Sequence, residues 1–101
     1  MKTHQPIGIL DSGIGGLSVL NEIRKTLPNE SIIYFGDSAW CPYGARDADE
    51  IQRRVFAVTD FLLSKNCKLI VIACNSATIA AVEALRASYP VPFVGMEPGI
   101  K

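Results

Sequence analysis

Apolar residues along this chain alternate between short unbroken runs and runs at helical spacing. Ile7-Gly8-Ile9-Leu10 is unbroken and is closed by a cluster of Gly13, Gly15 and Gly16. Leu17, Leu20, Ile23 and Leu27 then recur at close to helical spacing until Pro28-Asn29 stops the pattern, which predicts a strand followed by a helix. A second run, Ser31-Ile32-Ile33-Tyr34-Phe35, ends at Gly36-Asp37 and opens a long loop through Pro42-Tyr43-Gly44. Beyond it, Asp47, Asp49 and Glu50 supply acids for a first helical turn, and Ile51, Val55, Val58 and Leu62 fall on one helical face. The third unit is Leu69 to Ala73, followed by a helix from Ser76 to about Ser88 with Ile79, Val82 and Leu85 facing inward. Pro92-Phe93-Val94-Gly95 forms a fourth strand, cut short by Glu97-Pro98-Gly99.

Four strands joined by three helical crossovers predict an α/β fold: a three-layer open sheet of four parallel strands with helices on both faces. Residues 1–101 read as one domain, without internal linkers, repeats or low-complexity stretches. The last residues, Glu97 to Lys101, read as a loop entering another element, which predicts that the chain is a fragment of a longer protein.

Composition narrows the function classes. Ten basic residues balance ten acidic ones, with no arginine-rich run, so nothing marks a nucleic-acid or anionic-membrane surface. No segment approaches the roughly 20 apolar residues that span a bilayer, and the first ten residues do not form a signal peptide. Three cysteines, Cys41, Cys67 and Cys74, cannot all pair, and their spacing matches no zinc motif; with His4 the one histidine, no metal site is expected. A reduced, cytoplasmic protein is the simplest reading.

Under the predicted topology, the residues just past each strand are Asp11-Ser12, Asp37-Ser38, Cys74-Asn75-Ser76 and Glu97. All four carboxyl ends therefore carry polar or ionisable groups on one rim, where open parallel sheets bind ligands. Cys74 is the distinctive member, because it follows a doubly buried strand and faces a helix N-terminus, where a thiol can become acidic. Each element also has a bland reading: free cysteine packs well in cores, and aspartate often forms a turn after a strand. Cys67 precedes its strand, on the opposite rim, and is expected to be inert.

Familiar motifs fit poorly. Gly13-Ile14-Gly15-Gly16-Leu17-Ser18 has two glycines of a dinucleotide fingerprint but Ser18 in place of the third, and Asp11 would repel a pyrophosphate. Cys41-Pro42-Tyr43-Gly44 lacks the second cysteine of a redox pair. A phosphatase loop would carry an arginine six residues past its cysteine, where this chain has Ala80.

Asp11-Ser12-Gly13-Ile14-Gly15-Gly16, Tyr34-Phe35-Gly36-Asp37, Pro42-Tyr43-Gly44, Ala73-Cys74-Asn75-Ser76-Ala77-Thr78 and Gly95-Met96-Glu97-Pro98-Gly99 stand in order and with matching spacing. Together they resemble the amino-terminal half of the glutamate racemases, over essentially the whole chain. The resemblance implies half of a two-domain racemase that interconverts L- and D-glutamate without a cofactor and supplies D-glutamate for peptidoglycan. In that family one cysteine thiolate removes the α-proton while a second thiol delivers a proton to the opposite side. By resemblance, Cys74 is one of the two acid-base cysteines. Asp11, Ser12, Tyr43, Gly44, Asn75 and Ser76 fall on substrate-contacting positions, with Asp37 and Glu97 supporting.

General chemistry agrees with that implication. A thiol, with an ordinary pKa of about 8.5, is a base strong enough for a weakly acidic α-proton without being fully protonated. Helix amides beyond Asn75 would stabilise a thiolate at Cys74, and amides beyond Gly15-Gly16 would hold a substrate carboxylate. Asp11 could pair with the substrate ammonium or polarise the thiol; both roles stay open.

Two departures matter. Ser76 stands where the family usually has threonine, which keeps the hydroxyl. The second catalytic cysteine, with its neighbouring threonine and histidine, belongs to the carboxy-terminal half, and neither Cys41 nor Cys67 matches it. The chain alone is therefore expected to be inactive, with its own carboxy-terminal domain as partner and a homodimer as the full-length assembly. An aspartate racemase is the alternative enzyme, a non-catalytic module binding an acidic ligand is the alternative from another class, and a glutaredoxin-like role for Cys41 comes third.

Overall fold

A computed structural model describes residues 4–13, 16–40 and 43–95. The elements run β1 (Ile7–Asp11), α1 (Leu17–Thr26), β2 (Ile32–Gly36), α2 (Ala48–Ser64), β3 (Leu69–Ile72), α3 (Asn75–Ser88) and β4 (Phe93–Gly95). Two short 3-10 turns, Ser38–Trp40 and Tyr43–Ala45, lie in the long connection between β2 and α2. All strand pairs are parallel, in the order β2-β1-β3-β4. The expected four-stranded parallel sheet with helices on both faces is present, with boundaries moved by a residue or so.

Alternation within the two central strands creates the layers, because successive side chains of a strand point to opposite faces. Ile7 and Ile9 of β1 and Val71 and Ala73 at β3 meet Val19, Leu20 and Ile23 of α1. Leu10, Ile70 and Ile72 face the other way, into the larger core formed with α2 and α3. Burial on both faces explains why β1 and β3 read as continuous apolar runs.

α2 follows its sequence pattern closely. Asp47 caps it, accepting the Glu50 amide at 2.8 Å while the Glu50 carboxylate accepts the Asp47 amide at 3.4 Å, a reciprocal capping box. Ile51, Val55, Val58 and Leu62 are all buried, as their spacing predicts. Burial of one such side chain contributes about 1.5–3 kcal/mol, so this stripe is what fixes α2 to the sheet.

α3 departs from expectation. Val82 and Leu85 face inward, but Ile79 is 71% exposed, and Ala77, Thr78 and Ala81 fill the buried face instead. Small side chains there let α3 approach α2, whose Gln52 amide donates to the Ala80 carbonyl at 3.1 Å. The stripe that settles the helix is therefore centred on its small residues, and Ile79 is rotated outward. α1 is the looser layer: none of its residues is fully buried, and Leu17, like Leu27 just past its end, remains exposed. Among the described residues no helix is long and apolar enough to cross a membrane.

Candidate functional site

The strand order creates a switch point between the two central strands. From β1 the chain crosses to β2 on one side, and from β3 it crosses to β4 on the other, so the carboxyl ends of β1 and β3 mark the place where open parallel sheets bind ligands. The Ala73 amide donates to the Leu10 carbonyl at 2.8 Å, which keeps the two strand ends side by side. Asp11 ends one strand and Cys74 follows the other.

Cys74 is half-buried and free, the extended cap residue before α3 with φ −148° and ψ 123°. Its carbonyl accepts the Thr78 amide at 3.0 Å and the Thr78 hydroxyl at 2.9 Å. That leaves the first-turn amides of α3 without partners within the helix, next to the thiol. Positive partial charge gathers at a helix N-terminus, so the thiol stands at an electropositive end of α3. Cys67, by contrast, is buried beneath Leu62 at the opposite end of the sheet, where burial pushes its thiol above the ordinary value.

Asp11 is 2% exposed and surrounded by donors. Its Oδ1 accepts the Ser12 amide at 2.8 Å, and its Oδ2 accepts both the Gly16 amide and the Tyr34 hydroxyl at 2.5 Å. Burial, followed by the hydrogen bond to Asp11, raises the Tyr34 phenol well above its ordinary value, so it remains a donor. The Gly16 amide is thus taken up by Asp11, so a ligand carboxylate would be held by the amides that follow it. The same contact fills with a protein carboxylate the place a phosphate would take in a nucleotide cradle.

A second acidic centre lies beside the first, joined to it where the Asp37 amide donates to the Asp11 carbonyl at 2.9 Å. The buried Asp37 carboxylate accepts the Tyr43 hydroxyl at 2.7 Å and a two-pronged contact from Arg54, Nε at 2.7 Å and Nη2 at 2.8 Å. The Arg54 guanidinium is the chief reason that the Asp37 carboxyl lies below its ordinary range; burial opposes it and the Tyr43 hydroxyl assists it. Tyr43 is 1% exposed, and burial ahead of the Asp37 contact lifts its phenol far above the ordinary value. The nearby Cys74 adds to that rise, which places the thiol within electrostatic reach of this cluster.

Ser12, Ser76 and Cys74 are half-buried while Gly44 and Asn75 are exposed, so the rim is an open shelf. Gly44 lies against Ser76: a side-chain carbon built on Gly44 would stand 3.4 Å from the Ser76 hydroxyl. The Tyr43 hydroxyl points away into Asp37, which leaves the backbone around Gly44 as what this turn offers on the rim. Glu97 lies outside the described residues, as do Gly15, Cys41 and Pro42. Tyr34 and Arg54 are additions that motif reading missed. Tyr34 stood in the Tyr34-Phe35-Gly36-Asp37 block without a role, and Arg54 carried no signal beyond lying next to the buried stripe of α2. Among the described residues no three His, Cys, Asp or Glu side chains gather closely enough to hold a metal ion.

Known proteins share this sequence and fold. Residues 7–99 match the family model described as Asp/Glu/Hydantoin racemase. A glutamate racemase of Clostridium novyi is 55% identical over 98% of this chain, which spans 39% of that relative. The crystal structure of glutamate racemase from Thermus thermophilus in complex with β-chloro-D-alanine superposes with a TM-score of 0.91 at 42% identity, over 94% of this chain and 37% of that one. Escherichia coli glutamate racemase, in complex with L-glutamate and the activator UDP-MurNAc-Ala, gives 0.89 at 39% identity, over 96% of this chain and 37% of that one. The chain thus spans well under half the length of the relatives it matches, and through most of its own length it belongs to the Asp/Glu/hydantoin racemase family.

Proposed function

We propose that the protein carrying this chain interconverts L- and D-glutamate by proton transfer between two thiols, without a cofactor, and that the chain supplies one of them. The observation that carries this reading is Cys74: a half-buried thiol capping α3 at the carboxyl end of β3, the strand paired with the one that Asp11 ends. Family membership and relatives named glutamate racemases support the substrate, as does the L-glutamate held by the Escherichia coli neighbour.

In this mechanism the Cys74 thiolate takes the α-proton, forming an S–H bond as the C–H bond breaks. A thiol from the remainder of the protein then delivers its own proton to the opposite face of the same carbon, inverting it. The backbone near Gly44, the Asn75 and Ser76 side chains and Ser12 bind the substrate's carboxylates through oriented donors, which would also stabilise the charge that builds up in the transition state. Asp11, which accepts from three donors, fixes the turn after β1 and stands near the substrate ammonium. The D-glutamate feeds peptidoglycan synthesis, the compartment is the cytoplasm, and the working unit is a homodimer completed by the carboxy-terminal domain.

In the full-length protein, Cys74→Ser is expected to lower turnover roughly 10²- to 10⁴-fold with the fold retained, because a hydroxyl is a poor substitute for a thiol as acid and base. Chiral chromatography of glutamate and circular dichroism measure the two properties. Wild-type kinetics in the variant would remove Cys74 from the mechanism, and turnover of aspartate with none of glutamate would change the substrate.

A further inference from the structure

Arg54 belongs to no part of the chemistry described above, yet its guanidinium organises the loop beside the thiol. It projects from the middle of α2, is 29% exposed and grips both oxygens of a carboxylate that is 3% exposed. A fork of this kind fixes orientation as well as charge, since both N–H groups must align with both oxygens. On its other side Arg54 lies 5.4 Å from the centre of the Trp40 ring, and Arg46 lies 4.0 Å from the same ring while donating to the Trp40 carbonyl at 3.1 Å. The loop between β2 and α2 is thus tied to the helix by one carboxylate and one indole.

The chain of contact continues toward the rim. The remaining acceptor capacity of Asp37 holds the Tyr43 hydroxyl, and Tyr43 begins the short turn whose next residue, Gly44, lies against Ser76. Resting on the racemase reading, we propose that Arg54 is a positioning residue for proton transfer: through Asp37 and Tyr43 it sets where the Gly44 backbone stands relative to Ser76 and Cys74. It touches no substrate. Its role is to keep Asp37 an acceptor, so that the Tyr43 hydroxyl always has somewhere to donate.

A pH signature follows. The groups facing the Asp37 carboxylate are Arg54 from α2 and Tyr43 and Arg46 from the loop, with Cys74 acting on Tyr43 from α3. Arg54 is the largest influence favouring the ionised form, and burial is the opposing one. Without the guanidinium the buried carboxyl takes up a proton at higher pH, and the neutral acid holds the Tyr43 hydroxyl less firmly than the charged carboxylate did.

In the full-length protein, Arg54→Ala is expected to lower kcat/KM for glutamate roughly 10- to 100-fold, the scale of a misplaced binding group. The loss should deepen toward acid pH, beginning at a higher pH than any acid limb of the wild type. Adding Asp37→Asn to Arg54→Ala should remove the new limb, because an amide accepts the Tyr43 hydroxyl but does not titrate. Arg54→Lys, which keeps charge without the fork, should show a smaller drop and a limb displaced in the same direction but less far, and it carries the test if the alanine variant does not fold. Wild-type values in these variants, a loss equal at every pH, or a limb that survives in the double variant would each overturn the proposal. Absence of glutamate turnover in the wild-type protein would instead bring down the functional reading on which it rests.

Discussion

At the scale of single residues, the site depends on how closely the ends of β1 and β3 approach. Gly16 is wedged against both: a side-chain carbon there would stand 2.7 Å from the Asp11 Oδ2 and 2.8 Å from the Ala73 side chain. Neither neighbour can yield cheaply, since Asp11 is held by three donors and Ala73 by the bond from its amide to Leu10. Gly16→Ala in the full-length protein should therefore cost about 1–3 kcal/mol of stability, the usual range for overpacking. Racemisation should fall by a larger factor than the stability loss explains, because the displaced groups carry the site. Urea unfolding and glutamate racemisation measured on one preparation test this; an unchanged unfolding midpoint would mean that the two strand ends are not in firm contact. Asp11, Asp37 and Cys74 could be picked out from sequence because each ends a strand. Their partners could not. Tyr34 reaches Asp11 from the neighbouring strand and Arg54 reaches Asp37 from a helix, and such pairings are set by strand order, which the residues do not spell out.

Elements differ in how far their sequence determines them. α2 was legible because large apolar side chains mark its buried face and acids mark its start, so pattern and packing agree. The face of α3 was not, since Ile79 suggests one face while Ala77 and Ala81 occupy another. Hydrophobicity favours the isoleucine, but close approach of two helices favours the alanines, and here approach decides. Ala81 lies in the core at 1% exposure together with Val55 and Val58 of α2. Ala81→Leu is expected to force the two helices apart and destabilise the full-length protein by about 1–3 kcal/mol. The shift in urea midpoint reports it directly. A neutral result would mean that α3 can rotate toward its isoleucine, and that the alanines do not determine its seat.

At the scale of the whole molecule, the described groups of the proposed site share one rim of the sheet. Asp11, Asp37 and Cys74 all belong to the carboxyl rim of a single sheet, and Cys67 lies buried at the other end. A thiol that removes a proton from one face of a carbon can return one only to that face, which exchanges hydrogen and preserves configuration. Inversion needs an acid opposite, and the racemases compared above are more than twice as long as the part this chain matches. The 101-residue chain incubated with L-glutamate in deuterated water is therefore expected to produce no D-glutamate, with α-deuteration of L-glutamate as its only permitted product. The full-length protein under the same conditions should release D-glutamate carrying deuterium at the α-carbon. Chiral separation followed by mass measurement distinguishes these products. D-glutamate released by the short chain at the full-length rate would mean that both faces of the carbon are served from this one rim, and the two-thiol division would have to be abandoned.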